Sequence, residues 1–242
     1  MLAQELAQFL AESGRRIALT GVLHRGTGLT TKRAIERLQA AHLYFITPDA
    51  APDRVVELVT AALRAAGVIQ LRHKSLARGD LLALARRIRE ITAREGVLFI
   101  VNDHLDVAML SKADGVHLGP DDLSISAARR VAGDRMIIGA SASSPEAAKA
   151  ALADGADYLG SGPAFATPIK TEKTVIGPKG VAAIAAAVDP KVPVFAIGGI
   201  DMSNVGLLTA EGLRHAGVIR AIADAPDPEL AARRLRTMLT SG

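Results

Sequence analysis

The chain has 242 residues, 49% of them hydrophobic but only 3% aromatic, with no Trp and no Cys. That length suits one α/β barrel or two small domains, and a core of Ala, Val, Ile and Leu suits a parallel sheet buried on both faces. The missing Cys excludes disulfides and thiolate metal sites, and a net charge of +4 spread along helices without interleaved aromatics argues against nucleic acid.

Residues 1–41 read as an N-terminal helical extension: a helical stretch at 2–11, a Gly-rich link (GVLHRGTGLTT) and a second helical stretch at 32–39. This extension is expected either to cap the barrel bottom or to make a homo-oligomer contact. Its start lacks the basic-then-apolar order of a signal peptide, and no apolar run reaches the ~20 residues that span a bilayer. The expectation is a cytoplasmic protein without a membrane partner. GTGLTTK lacks the GxxxxGK[ST] spacing of a phosphate loop and receives no nucleotide role.

From residue 42 to 242 short β-branched runs alternate with amphipathic stretches. Strands are expected at 43–47, 68–72, 97–101, 114–118, 136–140, 156–160, 192–197 and 216–219. Helices are expected at 52–66, 80–94, from about Ser124, at 145–154, 180–188 and 228–239, with a short one after the third strand. Eight βα units without a run of strands alone predict an α/β fold, a single (β/α)8 TIM barrel occupying residues 42–242. An open doubly wound sheet is the competitor, but no GxGxxG follows the first strand.

A barrel of this kind places its site at the C-terminal strand ends. There, Gln70, Arg72 and Lys74 alternate on the second strand and should share one inward face. Two cations on an inward face call for anions, either an internal network with Asp103 or Asp122 or an anionic ligand. Asn102 and Asp103 end the third strand, and Asp121 and Asp122 follow the fourth. Carboxylates beside cations suit Mg²⁺, which takes one or two carboxylates plus substrate phosphates; alternatively, Asp121 or Asp122 caps the helix near Ser124. Ser141 follows the fifth strand, Thr167 and Lys170 the sixth, Gly198 and Gly199 the seventh, and Ile219 and Arg220 the eighth. The Gly pair serves either a phosphate approach or a tight turn. His117 reads as a satisfied core histidine rather than a catalytic one. Two anionic substrates and a divalent metal would fill such a site.

GVIQLRHK, LFIVNDHLDVAMLSKADGVHLGPDDL, IIGAS, GADYLGSGPAFATPIK and VPVFAIGGI, in that order after LYFIT, resemble the thiamine phosphate synthase family over residues 42–240. The resemblance implies a transferase of thiamine biosynthesis that joins a pyrimidine pyrophosphate to a thiazole phosphate and releases pyrophosphate. It implies pyrimidine pyrophosphate binding by Gln70, Leu71, Arg72, His73, Lys74, Asn102, Ser141 and Lys170, with Arg72, Lys74 and Lys170 carrying the catalysis. It further implies one Mg²⁺ on Asp103 and Asp122, and the thiazole phosphate against Thr167, Pro168, Ile169, Gly199, Ile219 and Arg220. The chain departs from the family pattern at His73 (usually Glu), Pro120 (Gln), Ser143 (His), Ile169 (Thr) and Arg220 (Ser). His73 should point away from the Gln70 face by strand alternation. The related thiazole tautomerase fits less well, because Ser143 stands where its acid/base His would be. A non-catalytic barrel binding a phosphate ligand is the alternative of a different class.

Overall fold

The computed structural model describes residues 31–167 and 174–241, and in it eight parallel strands close into a barrel in chain order. They are β1 (Leu43–Ile46), β2 (Val68–Leu71), β3 (Leu98–Asn102), β4 (Gly115–Leu118), β5 (Ile137–Ala142), β6 (Tyr158–Ser161), β7 (Val194–Ile197) and β8 (Ala216–Val218). Closure comes from β8 pairing with β1, Leu43 opposite Ala216 and Phe45 opposite Val218. None of these eight strands keeps an open edge.

The helices are α1 (Thr31–Gln39), α2 (Pro52–Ala62), α3 (Arg78–Glu95), α4 (Leu105–Leu110), α5 (Ile125–Ala132), α6 (Pro145–Ala153), α7 (Gly177–Ala186), α8 (Val205–Ala210), α9 (Arg220–Ala223) and α10 (Pro228–Thr240). No helix among the described residues is long and apolar enough to cross a membrane. Two expectations change. Strand β2 stops at Leu71, because the Thr47 hydroxyl takes over both backbone groups of Arg72, accepting from its N–H and donating to its C=O, each at 3.0 Å. Helix α5 is capped by Ser124, whose Oγ accepts from Ala127 N, and not by Asp121 or Asp122.

Strand alternation sorts the apolar residues into two cores. Phe45, Ile69, Leu71, Phe99 and Val101 face outward into the sheet–helix layer. Tyr44, Val68, Leu98, Ile100, Ile137, Tyr158 and Phe195 fill the barrel itself, joined from below by Ala34 and Leu38 of α1 and by Ala41. The described part of the N-terminal extension thus packs under the barrel. Residues 1–30, with the helical stretch read at 2–11 and most of the Gly-rich link, lie outside the described residues.

The same staple appears twice in the lower rim. Asp114, just before β4, accepts from Arg89 of α3 at 2.7 Å and from Phe99 N at 2.8 Å; Asp157, just before β6, accepts from Arg129 of α5 at 2.6 Å and from Ile138 N at 2.8 Å. Each carboxylate ties a helix to the neighbouring strand. Arg129 also donates to the carbonyls of Gly133, Met136 and Gly155, so its cation stays solvated by protein if Asp157 is lost. Asp157→Asn is therefore expected to cost about 1–3 kcal/mol, less than an orphaned buried charge would. Urea unfolding with an unchanged m-value measures this.

Candidate active site

The polar residues collect at the C-terminal ends of β1 to β5, where each strand hands its chain to a loop. After β1, Asp49 accepts from Arg72 Nη1 at 2.9 Å and from the backbone N–H of Lys74. Burial raises the Asp49 carboxyl, but the Lys74 N–H and the Arg72 guanidinium outweigh it and hold the group below the usual range. Lys74 turns the other way and forms an ion pair with Asp103. The lysine side chain is 54% exposed against 11% for the aspartate, so the pair presents its cation to solvent and keeps its carboxylate inside. His73 is buried, with Nε2 on the Ala50 carbonyl at 2.9 Å and Nδ1 accepting from Leu76 N at 3.2 Å. Its ring braces the loops after β1 and β2. Leu71 lies with its side chain in the outer core, which leaves only its backbone near the mouth.

Asp103 follows β3 with φ 64°, the left-handed region that costs energy for any residue but glycine and is tolerated best by Asn and Asp. Its N–H bonds the His117 carbonyl at 2.8 Å, and the turn aims the carboxyl across at Asp122. Asp122 spends one oxygen on Gly119 N at 2.7 Å and hydrogen-bonds Asp103 with its carboxyl group. Burial and this neighbour push Asp122 above the usual carboxylate range. In Asp103, burial is outweighed by the Lys74 and Asp122 hydrogen bonds, which hold it below. The two carboxyls therefore stand side by side with opposite shifts, Asp122 raised and Asp103 lowered. Among the described residues no group of three or more His, Asp or Glu side chains is placed to hold a metal, so any ion here would complete its shell with substrate oxygens and water.

Beneath these groups, Gln70, Tyr44, Tyr158, His117 and Ser141 form an unbroken hydrogen-bonded chain across the barrel. Gln70 thus points into the barrel and is bonded to Tyr44, while Arg72 and Lys74 reach Asp49 and Asp103 above it. His117 is satisfied on both ring nitrogens, as expected of a core histidine, and its Nε2 meets Ser141 Oγ at 3.0 Å. Asn102, half-buried, ends β3 directly opposite His117.

The second corner lies at β6 to β8. Thr167 is half-buried beside it; Pro168, Ile169 and Lys170 lie outside the described residues. Gly198 (φ 92°) and Gly199 (φ 65°) make the sharp exit from β7, where a Cβ on Gly199 would stand 2.4 Å from the Ala166 carbonyl. Close packing of the β6 loop thus accounts for both glycines. Ile219 caps α9, and Arg220, its first residue, is exposed. A groove of about 840 Å³ lies at the opposite end between α1 and the Arg129–Asp157 pair, whose charges are already matched.

A sequence profile described as thiamine monophosphate synthase matches residues 43–222. The chain belongs to the thiamine monophosphate synthase family. A thiamine-phosphate synthase of Thermobifida fusca is 43% identical over 211 residues, 85% of this chain and 95% of that protein. One from Gloeobacter violaceus is 45% identical over 194 residues, 79% of this chain but only 55% of its own length. The chain thus spans little more than half of some curated family members and nearly all of others. Among solved structures, a thiamine phosphate pyrophosphorylase from Pyrococcus furiosus superposes with a TM-score of 0.76 at 36% identity, covering 85% of this chain and 98% of that one.

Asp49, Thr47, Tyr44 and Tyr158 touch the predicted site residues directly or through one another, and the sequence pattern did not single them out. Asp49 had one available signal, a carboxylate just past the first strand.

Proposed function

We propose that the chain couples a pyrimidine pyrophosphate to a thiazole phosphate at the mouth of the barrel, giving thiamine phosphate and pyrophosphate. The observation that carries this reading is the top of β1 to β4: two cations, each neutralised by its own carboxylate, beside a third carboxyl, Asp122, that burial and Asp103 push up. A pyrophosphate arriving there exchanges for Asp49 and Asp103 as the partner of Arg72 and Lys74. Asn102, Ser141 and the backbones of Leu71 and His73 line the pyrimidine, with Gln70 reaching it from below, and Lys170 joins from the loop after β6.

Asp103 and Asp122 fit Mg²⁺ as two neighbouring carboxylates on adjacent loops, and the ion, one per site, would neutralise charge on the leaving pyrophosphate. The bond from the pyrimidine methylene to the pyrophosphate oxygen breaks, its electron pair leaving with the oxygen. The thiazole nitrogen then supplies the pair for the new C–N bond. Arg72, Lys74 and Lys170 stabilise the departing charge, and the loops hold two reactants in line without a covalent enzyme intermediate. The thiazole phosphate rests against Thr167, Pro168, Ile169 and Gly199 and on the backbone N–H groups at Ile219 and Arg220, where α9 begins. The Arg220 guanidinium adds a charge-assisted contact in place of a hydroxyl. The reading places this activity in the cytoplasm.

Pyrophosphate release tests the reading. It is expected only when both substrates are present. Conversion of the thiazole alone would instead indicate a tautomerase, and binding without release would indicate a non-catalytic barrel.

A further inference from the structure

The buried polar chain inside the barrel has a direction. Gln70 Nε2 donates to Tyr44 Oη at 2.8 Å; the Tyr44 and Tyr158 hydroxyls lie 2.9 Å apart; Tyr158 Oη is 3.1 Å from His117 Nδ1; and His117 Nε2 is 3.0 Å from Ser141 Oγ. Five strands contribute one residue each, and the barrel is hollowed to seat them. A Cβ on Gly139 would lie 2.1 Å from Tyr158 Cζ, and one on Gly160 would lie 3.0 Å from His117 Cε1. Phe195 packs edge-on against both tyrosine rings. Such an assembly is costly to bury unless every member is satisfied.

An amide nitrogen only donates. The arrangement that uses every donor of the chain has Tyr44 Oη accept from Gln70 and give its own proton to Tyr158, and Tyr158 give its proton to His117 Nδ1. Nδ1 accepts only in a neutral ring protonated at Nε2, and that N–H is then given to Ser141 Oγ. The Ser141 hydroxyl proton is left to turn toward the barrel mouth, since Ser141 lies at the upper end of β5 on the inward face.

We propose that Tyr158, acting through His117, is a positioning residue that holds Ser141 as a hydrogen-bond donor to an acceptor atom of the pyrimidine pyrophosphate. The proposal rests on the reading of the barrel mouth as the substrate site. With the chain reversed, Ser141 would spend its proton on His117 and offer the ligand only lone pairs, so the tautomer of one buried histidine sets what the mouth can recognise.

Nitrogen NMR of protein labelled at histidine reads the tautomer directly, without substrate. The expected result is a neutral His117 protonated at Nε2; protonation at Nδ1, or an imidazolium, overturns the proposal while leaving the proposed reaction untouched. In Tyr158→Phe the tautomers should mix, and KM for the pyrimidine pyrophosphate should rise about three- to tenfold with kcat little changed, the pattern of one lost neutral hydrogen bond. In a Ser141→Ala background the same substitution should add no further rise. Additive effects, or an unchanged KM in Tyr158→Phe, would place the tyrosine outside the ligand's reach. If the wild-type protein binds no pyrimidine pyrophosphate at all, it is the substrate-site reading that fails.

Discussion

Asp122→Asn and Asp103→Asn should each lower kcat/KM at saturating Mg²⁺ by about 10²–10³, or about 3–4 kcal/mol of transition-state stabilisation, while the barrel stays folded. Asn is the substitution that isolates charge at both positions. At 122 the amide oxygen still accepts from Gly119 N, so the β4 loop keeps its turn. At 103 Asn tolerates the left-handed φ of 64° that most residues resist. What is lost is one of two negative charges facing a common point. The pH dependence follows from Asp122, whose carboxyl is raised by burial and by Asp103. A cation binds only after that proton leaves, so Mg²⁺ affinity is fully present above the titration of Asp122 and falls as pH drops through it. Asp122→Asn should abolish this step, and Mg²⁺ titrations at stepped pH measure it. An unchanged Mg²⁺ requirement in both variants would remove the two carboxylates from the metal site.

Gly139→Ala is expected to destabilise the fold by about 3 kcal/mol, at the upper end of what one added core methyl usually costs. The new Cβ would fall within 2.1 Å of the Tyr158 ring, which is fully buried and walled by Phe195 and Tyr44. The ring has nowhere to go without breaking its hydrogen bonds to Tyr44 and His117. Activity should fall with stability, because the same shift releases Ser141. Gly206 in α8 is the matched control: a Cβ there meets nothing within 4 Å, and Ala should stabilise by roughly 0.5–1 kcal/mol through helix propensity. Denaturant unfolding of both variants separates crowding from a general intolerance of glycine replacement.

The barrel was legible because most strands are short apolar runs rich in Val and Ile and each long helix repeats its apolar face, signals that reside within single segments. The single-turn helices α8 and α9, six and four residues long, are too short to show a period, and they emerge only from the packing of the loops that hold them. The cations and carboxylates at the strand ends were visible in type, and a network with Asp103 was one of the readings, which Lys74 forms; the partner of Arg72 was not visible. Arg72 and Asp49 are 23 residues apart and meet only because β1 and β2 are neighbours. Tyr44 and Tyr158 are 114 residues apart, and in the sequence each reads simply as an aromatic in a strand. Their meeting depends on two register choices and on Gly139 opposite Tyr158, which no local pattern reveals. Arg72 and Lys74 were expected to continue the strand beyond Gln70; Thr47 ends it first, by bonding both backbone groups of Arg72.

The central claim is coupling of the two substrates at a metal-dependent cationic mouth. The most direct measurement mixes the purified chain with the pyrimidine pyrophosphate, the thiazole phosphate and Mg²⁺, and quantifies thiamine phosphate by its fluorescent oxidation product, beside EDTA-treated and Lys170→Ala samples. Product that disappears with EDTA and falls steeply in Lys170→Ala is the result predicted. A folded protein that makes no product with both substrates saturating, or makes it equally well in EDTA, would contradict the account.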